Sequence, residues 1–144
     1  MRRDLMNSAD FKVLFPPLAA QTNSDTARVS EIIDTAGYES CTLVLVNGTN
    51  TDANATFAVT MEHGDDSALG DTAVPAATDL VGTPALAGFD FSHDKKCRKI
   101  GYIGSKRYVR MTVTPTGNDS GNWFMAGVAV LGHAKSKPTV NPPA

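Results

Sequence analysis

The sequence predicts an all-β protein, a single antiparallel β-sandwich of jelly-roll-like topology with extended N- and C-terminal arms. Three observations lead to this fold class. Several segments alternate apolar and polar residues with a period of two, Gly, Asn, Asp and Pro recur between these segments at short spacing, and helix signals are nearly absent. A chain of 144 residues is long enough to bury a core of its own, so we expect one domain.

The strands are predicted in chain order from these patterns. They lie at 27–35, 41–48, 55–64, 98–104, 108–115 and 123–133, with a further short one at 11–15. Residues 72–82 contain Pro75, which restricts them to an edge or broken strand. The side chains expected in or near the core are Leu43, Leu45, Phe57, Val59, Met61, Ile100, Val109, Met111, Val113, Val128 and Val130.

The two ends of the chain differ in character from its middle. Residues 15–27 and 133–144 are polar and rich in proline, which is typical of extended or mobile segments. We therefore predict an N-terminal arm over 1–27, a sandwich domain over 28–135 and a C-terminal tail over 136–144. The apolar cluster at 11–15 precedes Pro16 and Pro17, so we expect residues 1–20 to become ordered only on a partner.

Charge and hydropathy exclude several classes of protein. The net charge of −2 argues against general nucleic-acid binding, and no apolar run approaches the length of a membrane helix. The first residues lack the apolar core of a secretory signal. We therefore expect no nucleic-acid partner and no membrane, and synthesis in a reducing cytoplasm with Cys41 and Cys97 as free thiols.

Two segments carry residue types found in catalytic or metal sites. "MEHGDDSALGD" (61–71) holds several carboxylates but lacks the ligand spacing of a calcium loop, and a polar turn explains it equally. "FDFSHDKKC" (89–97) pairs one histidine with one cysteine, without the second Cys or His of a zinc site. We predict no catalytic residue, no cofactor and no metal.

"KKCRKIGYIGSKRYVRMTVTP" (95–115) contains seven of the thirteen basic residues and is predicted to form a hairpin. The charges indicate either a solvated face or a surface that docks on an acidic protein. The N-terminal segment adds two cations and an apolar cluster suited to a groove on a neighbour. The predicted partner-binding residues are Arg2, Arg3, Phe11, Phe15, Arg98, Lys106, Arg107 and Arg110.

Four segments resemble a family of small virion proteins of tailed bacteriophages. They are "DTAGYESCTLVLVNG" (34–48), "ATFAVTMEHGDDS" (55–67), "KIGYIGSKRYVRMTVTPTGN" (99–118) and the terminal "LGHA" (131–134). The resemblance spans roughly residues 28–135, and "GYIGSKRYVR" with "LGHA" is its most specific part. These family members are β-sandwich capsid decoration, or cement, proteins. "EHGDD" is similar to their "E-x-S-D-D" turn, with Gly64 in place of serine.

The resemblance implies a non-enzymatic virion protein on the exterior of the capsid, assembled in the cytoplasm of a bacterial host. Its expected partners are the major capsid protein and further copies of itself, as a dimer or trimer. A tail or neck component is an alternative within the virion, and a carbohydrate-binding β-sandwich module is an alternative outside it. Trp123 lies in an apolar strand, which favours the core over a sugar-stacking platform.

Overall fold

The computed structural model describes residues 4–140 and confirms the all-β prediction. Its strands are bounded as follows: β1 Asp10–Phe15, β2 Gln21–Thr22, β3 Arg28–Val29, β4 Ile33–Asp34, β5 Tyr38–Asn50, β6 Thr56–Gly64, β7 Leu80–Val81, β8 Phe89–Asp90, β9 Cys97–Tyr102, β10 Tyr108–Thr116 and β11 Asn122–Ala134. One helical turn, α1, spans Pro84–Ala87, and 3-10 turns span Ala77–Asp79 and Phe91–His93. In this part of the chain no helix has the length and apolarity needed to cross a membrane.

Two antiparallel sheets pack face to face. Sheet A has the order β1-β11-β5-β9-β7, with β2 also paired to β11. Sheet B has the order β3-β10-β6-β8, with β4 also paired to β10. The chain passes between the sheets at the connections from β5 to β6, from β9 to β10 and from β10 to β11. From β4 to β11 each strand therefore lies in the opposite sheet from the strand before it, as in much of a jelly roll.

The core lies between the sheets and contains most of the side chains predicted for it. Nine of those predicted are buried, from Leu43 on β5 to Val113 on β10. Trp123 is also fully buried, as expected, with its ring centroid 4.7 Å from that of Phe57. The guanidinium of Arg28 lies over the Trp123 ring, 4.8 Å from its centroid.

The placement of Val128 and Val130 in the core is wrong. On β11 the buried positions are Trp123, Met125, Gly127, Ala129 and Leu131, so both valines point away from the core. The space inside is already filled by β1, because a Cβ atom on Gly127 would lie 2.9 Å from the ring of Phe15. Small residues, Gly127 and Ala129, therefore occupy the inner face of β11 beside β1, whereas Val128 and Val130 point outward.

The prediction of an N-terminal arm over 1–27 is wrong from Asp10 onward. Residues 10–15 form β1, which pairs with β11 at the edge of sheet A, and Leu14 is fully buried. The apolar cluster is thus part of the sandwich, and the strand ends where Pro16 and Pro17 interrupt it. Part of the predicted tail is also anchored, since the buried Thr139 donates through its hydroxyl to the Ala9 carbonyl at 2.9 Å.

The hairpin predicted over 95–115 does not form. β9 pairs with β5 and β7 in sheet A, whereas β10 pairs with β6, β3 and β4 in sheet B. The intervening residues 103–107 therefore connect the two sheets. Tyr102 fixes this corner, because its hydroxyl accepts from the Lys106 amide at 3.0 Å.

Candidate docking surface

The outer faces of the two sheets differ in chemistry. The outward positions of β6 and β10 in sheet B are mostly threonines, joined by the Arg110–Glu62 ion pair. Thr112 lies near the middle of this face, opposite Thr60 on β6 and Val29 on β3. A polar outer face is what an antiparallel sheet exposed to water normally presents.

The outer face of sheet A is apolar across three adjacent strands, β1, β11 and β5, and β9 borders them. Residues directly opposite one another in an antiparallel pair point to the same side of the sheet, so the strand registers define rows. One row runs Phe11, Val130, Thr42, Gly101, and the next runs Val13, Val128, Val44, Lys99. A third row runs Ala126, Val46, Cys97. Lys99 is the one charged side chain in these rows.

This surface is called the apolar face below. Its residues are Phe11, Val13, Thr42, Val44, Val46, Phe124, Ala126, Val128 and Val130. Val13 is 58% exposed, Val46 44%, Phe124 43% and Phe11 39%. Contiguous exposed apolar side chains of this kind are uncommon on a protein that functions alone, and they mark interaction sites.

The sequence folds this way because β5 and β11 are apolar on both faces. "CTLVLV" (41–46) places Cys41, Leu43 and Leu45 inside and Thr42, Val44 and Val46 outside. Continuous apolar runs of this type are typical of strands covered on both sides. The sheet therefore has the composition of one that is covered, although its outer side is open in the single chain.

Two grooves border the apolar face at different ends. One, of about 240 Å³, is lined by Pro17, Leu18, Val46 and Phe124 among others. The other, of about 420 Å³, lies over β9 and β7 beside α1, and its walls include Thr42, Val81, Leu86, Gly101 and Ile103. Both grooves are largely apolar, so they extend the same surface.

The cations predicted to bind an acidic partner are mostly paired within the chain. Arg107 donates to both carboxylate oxygens of Asp34 at 2.9 and 2.8 Å, and Arg110 donates to Glu62 Oε2 at 2.9 and 2.6 Å. The Lys106 ammonium lies 2.5 Å from Asp65 Oδ2. These three cations therefore tie β10 and its preceding corner to neighbouring segments.

The ion pairs of Arg107 and Lys106 also keep the carboxyl groups of Asp34 and Asp65 ionised. Hydrogen bonding from Arg107 lowers the pKa of Asp34 below its ordinary value, and Lys106 does the same to the pKa of Asp65. Asp34 in turn raises the pKa of the Arg107 guanidinium. At neutral pH each pair is thus a cation matched by an anion, and little unbalanced positive charge remains at this corner.

The other predicted partner-binding residues fall into three groups. Arg2 and Arg3 lie outside the described residues. Phe15 is buried under β11, so its assignment to a partner-binding surface is wrong. Phe11 is exposed on the apolar face, whereas Arg98 lies on the inner side of β9 with its guanidinium hydrogen-bonded to the Leu86 carbonyl.

The polar segment around Asp90 is a local cap. Asp90 Oδ1 accepts from the Ser92 hydroxyl at 2.5 Å and lies 2.9 Å from His93 Nδ1, within a single 3-10 turn. The same histidine nitrogen also faces the Asp90 amide at 3.3 Å. The Ser92 hydroxyl lies 3.3 Å from the same His93 nitrogen, so these bonds close the turn on itself.

The acidic segment after β6 is a closed turn. Asp71 accepts from the backbone amides of Asp65 and Asp66 at 2.8 and 3.0 Å. Within residues 4–140, no group of three or more His, Cys, Asp or Glu side chains is arranged to hold a metal ion. Cys41 is buried, which raises the pKa of its thiol to about 12, and Cys97 is exposed beside Val46.

Comparisons with known proteins find structural similarity at low sequence identity. No family model and no curated protein matches the chain. Among solved structures, the SPBc2 prophage-derived protein YomS is similar over 85% of this chain and 94% of its own, with 13% identity and a TM-score of 0.45. The infectious bursal disease virus Gx strain structure covers 90% of this chain and 34% of its own, with 11% identity and a TM-score of 0.44.

A xylanase is also similar. The CBM22-1–GH10 modules of Clostridium thermocellum endo-1,4-beta-D-xylanase 10B, complexed with xylohexaose, match 94% of this chain and 28% of theirs, with 11% identity and a TM-score of 0.42. At these identities and TM-scores no function is transferred from any of the three structures.

Proposed function

We propose that this protein is a non-enzymatic structural component of a virion, which decorates the outside of a tailed-phage capsid and stabilises it by bridging subunits of the major capsid protein. The resemblance of residues 28–135 to capsid decoration proteins motivates the proposal. Assembly takes place in the cytoplasm of the bacterial host, and the mature protein is located on the capsid exterior.

The observation that carries the proposal is the apolar face. Three adjacent strands, β1, β11 and β5, contribute outward apolar side chains there, while the opposite outer face of the sandwich is mostly polar. Burial of apolar surface is the main driving force of stable association, at about 25 cal/mol per Å². A chain with this asymmetry is suited to permanent assembly with other subunits.

The fold suits a subunit that bears load. Within residues 4–140 most contacts join distant parts of the chain, and the first and last described segments are attached to the sandwich through β1 and Thr139. The Arg107–Asp34 ion pair ties the connection between the sheets to β4, and the Arg110–Glu62 pair joins β10 to β6 within sheet B. A small body fixed in this way transmits force between the neighbours that it bridges.

Two observations on residues 4–140 weigh against the carbohydrate-binding alternative. Such modules stack sugars on neighbouring exposed aromatic rings, and Trp123 is fully buried. The exposed rings of Phe11 and Phe124 lie near different ends of β11, because Phe11 is opposite Val130. Six residues of extended strand separate these ends, which is roughly 20 Å.

Sedimentation of the purified protein with capsid shells that lack it tests the proposal. We expect the wild-type protein and Thr112→Asp, which changes the polar face of sheet B, to sediment with the shells. We expect Val128→Asp, which places a charge at the centre of the apolar face, to bind at least about 30-fold more weakly, as for a central interface residue. Circular dichroism of each variant establishes that it is folded.

Two outcomes would contradict the proposal. Wild-type protein that stays in the supernatant with shells but binds isolated tails supports the tail or neck alternative. Loss of binding by Thr112→Asp together with full binding by Val128→Asp would show that the apolar face is not the surface on which assembly depends.

A further inference from the structure

We propose that the apolar face packs against the same face of a second copy, giving a dimer whose two-fold axis runs parallel to the strands between β11 and β5. This inference goes beyond the proposed function and concerns the protein alone. Face-to-face packing of two sheets, about 10 Å apart and within roughly 30° of parallel, is the usual way in which sheets cover each other.

The rows of the apolar face match themselves under this symmetry. A two-fold axis along the strands places each row of one copy opposite the same row of the other copy. β11 of one copy then faces β5 of the other, and β1 faces β9. Val128 of one copy then meets Val44 of the other, and Val130 meets Thr42, because each pair lies in a single row. The centre of the contact consists of side chains of similar size.

The edges of the apolar face are complementary in shape. On the β1 side, Phe11 projects from the edge of the sheet with 39% of its surface exposed. On the β9 side, the same row continues through Gly101, which has no side chain, to Val81 on β7, and both residues line the groove of about 420 Å³. The symmetry places Phe11 of each copy over this groove of the other, so each copy supplies one projection and one recess.

The charge distribution fits a second copy better than a charged partner. Lys99 is the single charged side chain in the rows, and the axis places it over β1 of the other copy, beside Val13. Its aliphatic stem can cover Val13 while its ammonium reaches solvent at the rim. The two Lys99 residues lie at opposite edges of the contact, so they do not repel each other closely.

The size of the apolar face is of the order that a dimer needs. The strands that meet in the contact, β1, β11, β5 and β9, lie about 4.8 Å apart, and seven residues of β11, from 124 to 130, span it. Treated as a flat rectangle, this region measures roughly 450 Å². Its accessible area is larger, because side chains project from the sheet and a groove borders it. A standard interface buries about 800 Å² on each partner, and its central part is depleted in charge, as it is here.

A two-fold dimer would present every remaining surface of the protein twice. Two identical contacts held at a fixed distance bind a repetitive surface more strongly than either does alone, because the second contact forms at high effective concentration. The dimer would therefore supply the bridging geometry that the proposed function requires, although its existence does not depend on that function.

Light scattering coupled to size-exclusion chromatography of the purified protein, without particles, tests the dimer over a wide range of concentration. We expect the mass of two 15.2 kDa chains for the wild-type protein and for Thr112→Asp. We expect Val128→Asp to dissociate at least about 30-fold more readily. A monomeric or trimeric wild type, or a Val128→Asp dimer of unchanged affinity, would overturn the proposal.

Chemical cross-linking tests the position of the axis even if Val128→Asp fails to fold. Chains carrying Val13→Cys are mixed with chains carrying Lys99→Cys, both with Cys97→Ser, and treated with a short bismaleimide. We expect a mixed cross-linked pair, and none when Thr112→Cys replaces Lys99→Cys. Preferential linking of two Lys99→Cys chains to each other would place the axis elsewhere and overturn the proposal.

Discussion

Arg107 illustrates what decides the role of a single residue. Its charge belongs to the densest basic stretch of the sequence, yet its guanidinium is bound at both ends to Asp34. Asp34 lies 73 positions away in the chain, and Glu62 lies 48 positions from Arg110. No local pattern connects residues so far apart, so the sequence predicts that these cations are present without predicting that they are paired.

We predict that the Asp34–Arg107 pair contributes to the stability of the fold in a way that depends on pH. The pKa of Asp34 is lowered in the folded protein from its ordinary 3.8, chiefly by hydrogen bonding from Arg107. A lowered folded-state pKa stabilises the protein above the unfolded value, and this contribution disappears as the pH falls through the folded value. We expect Asp34→Asn to lower the thermal midpoint slightly at pH 7 and to match the wild type in strong acid.

The partner of Asp34 provides the control. In an Arg107→Gln background the carboxylate has lost the interaction that lowers its pKa, so Asp34→Asn should then have little further effect at pH 7. The measurement is the thermal midpoint by circular dichroism from pH 7 down to pH 2. Two results would show that the pair does not stabilise the fold. One is that Asp34→Asn lowers the thermal midpoint equally in both backgrounds, and the other is that this decrease in the midpoint grows towards acid pH.

At the scale of elements, predictability depended on whether a strand has one apolar face or two. In β6 and β10 polar residues alternate with apolar ones, and the predicted inner residues Phe57, Met61 and Met111 are buried. β11 is apolar on both faces, so its own sequence does not show which of its alternate residues point into the core. This orientation is set instead by β1, whose Leu14 and Phe15 fill the space beside Gly127.

β9 and β10 show a related limit. A short connection between two strands is typical of a hairpin, but the same number of residues also reaches from one sheet to the other. β9 pairs with β5 in sheet A and β10 pairs with β6 in sheet B, so the two strands face the core from opposite sheets. Only the complete set of strand partners distinguishes the two arrangements.

Because Ala129 points into the core and Val128 points away from it, we expect opposite results from the same substitution at these two neighbouring residues. Ala129→Asp places an unpaired carboxylate in the core, which costs several kcal/mol, and we expect it to prevent folding. Val128→Asp places the same group on the outer face, and we expect a folded protein with a cooperative thermal transition. The comparison is made by circular dichroism and thermal unfolding, and a folded Ala129→Asp protein would show that this orientation of β11 is wrong.

At the scale of the whole molecule, the two outer faces of the sandwich differ, because that of sheet A is apolar and that of sheet B is mostly polar. The sequence predicted the fold class and most of the core, because those follow from period-two patterning. It did not predict the apolar face, although the continuous apolar runs in β5 and β11 were a signal for it. Recognising that face required the strand order, which brings Val13, Val128 and Val44 side by side.

Electron cryo-microscopy of purified virions tests the central claim most directly. The proposed function and the dimer together predict density for this β-sandwich on the outside of the capsid, in pairs related by a two-fold axis, with the apolar faces of each pair buried against each other and capsid subunits bridged beneath them. Density for the protein only in the tail or neck, or no density on the particle at all, would contradict the account.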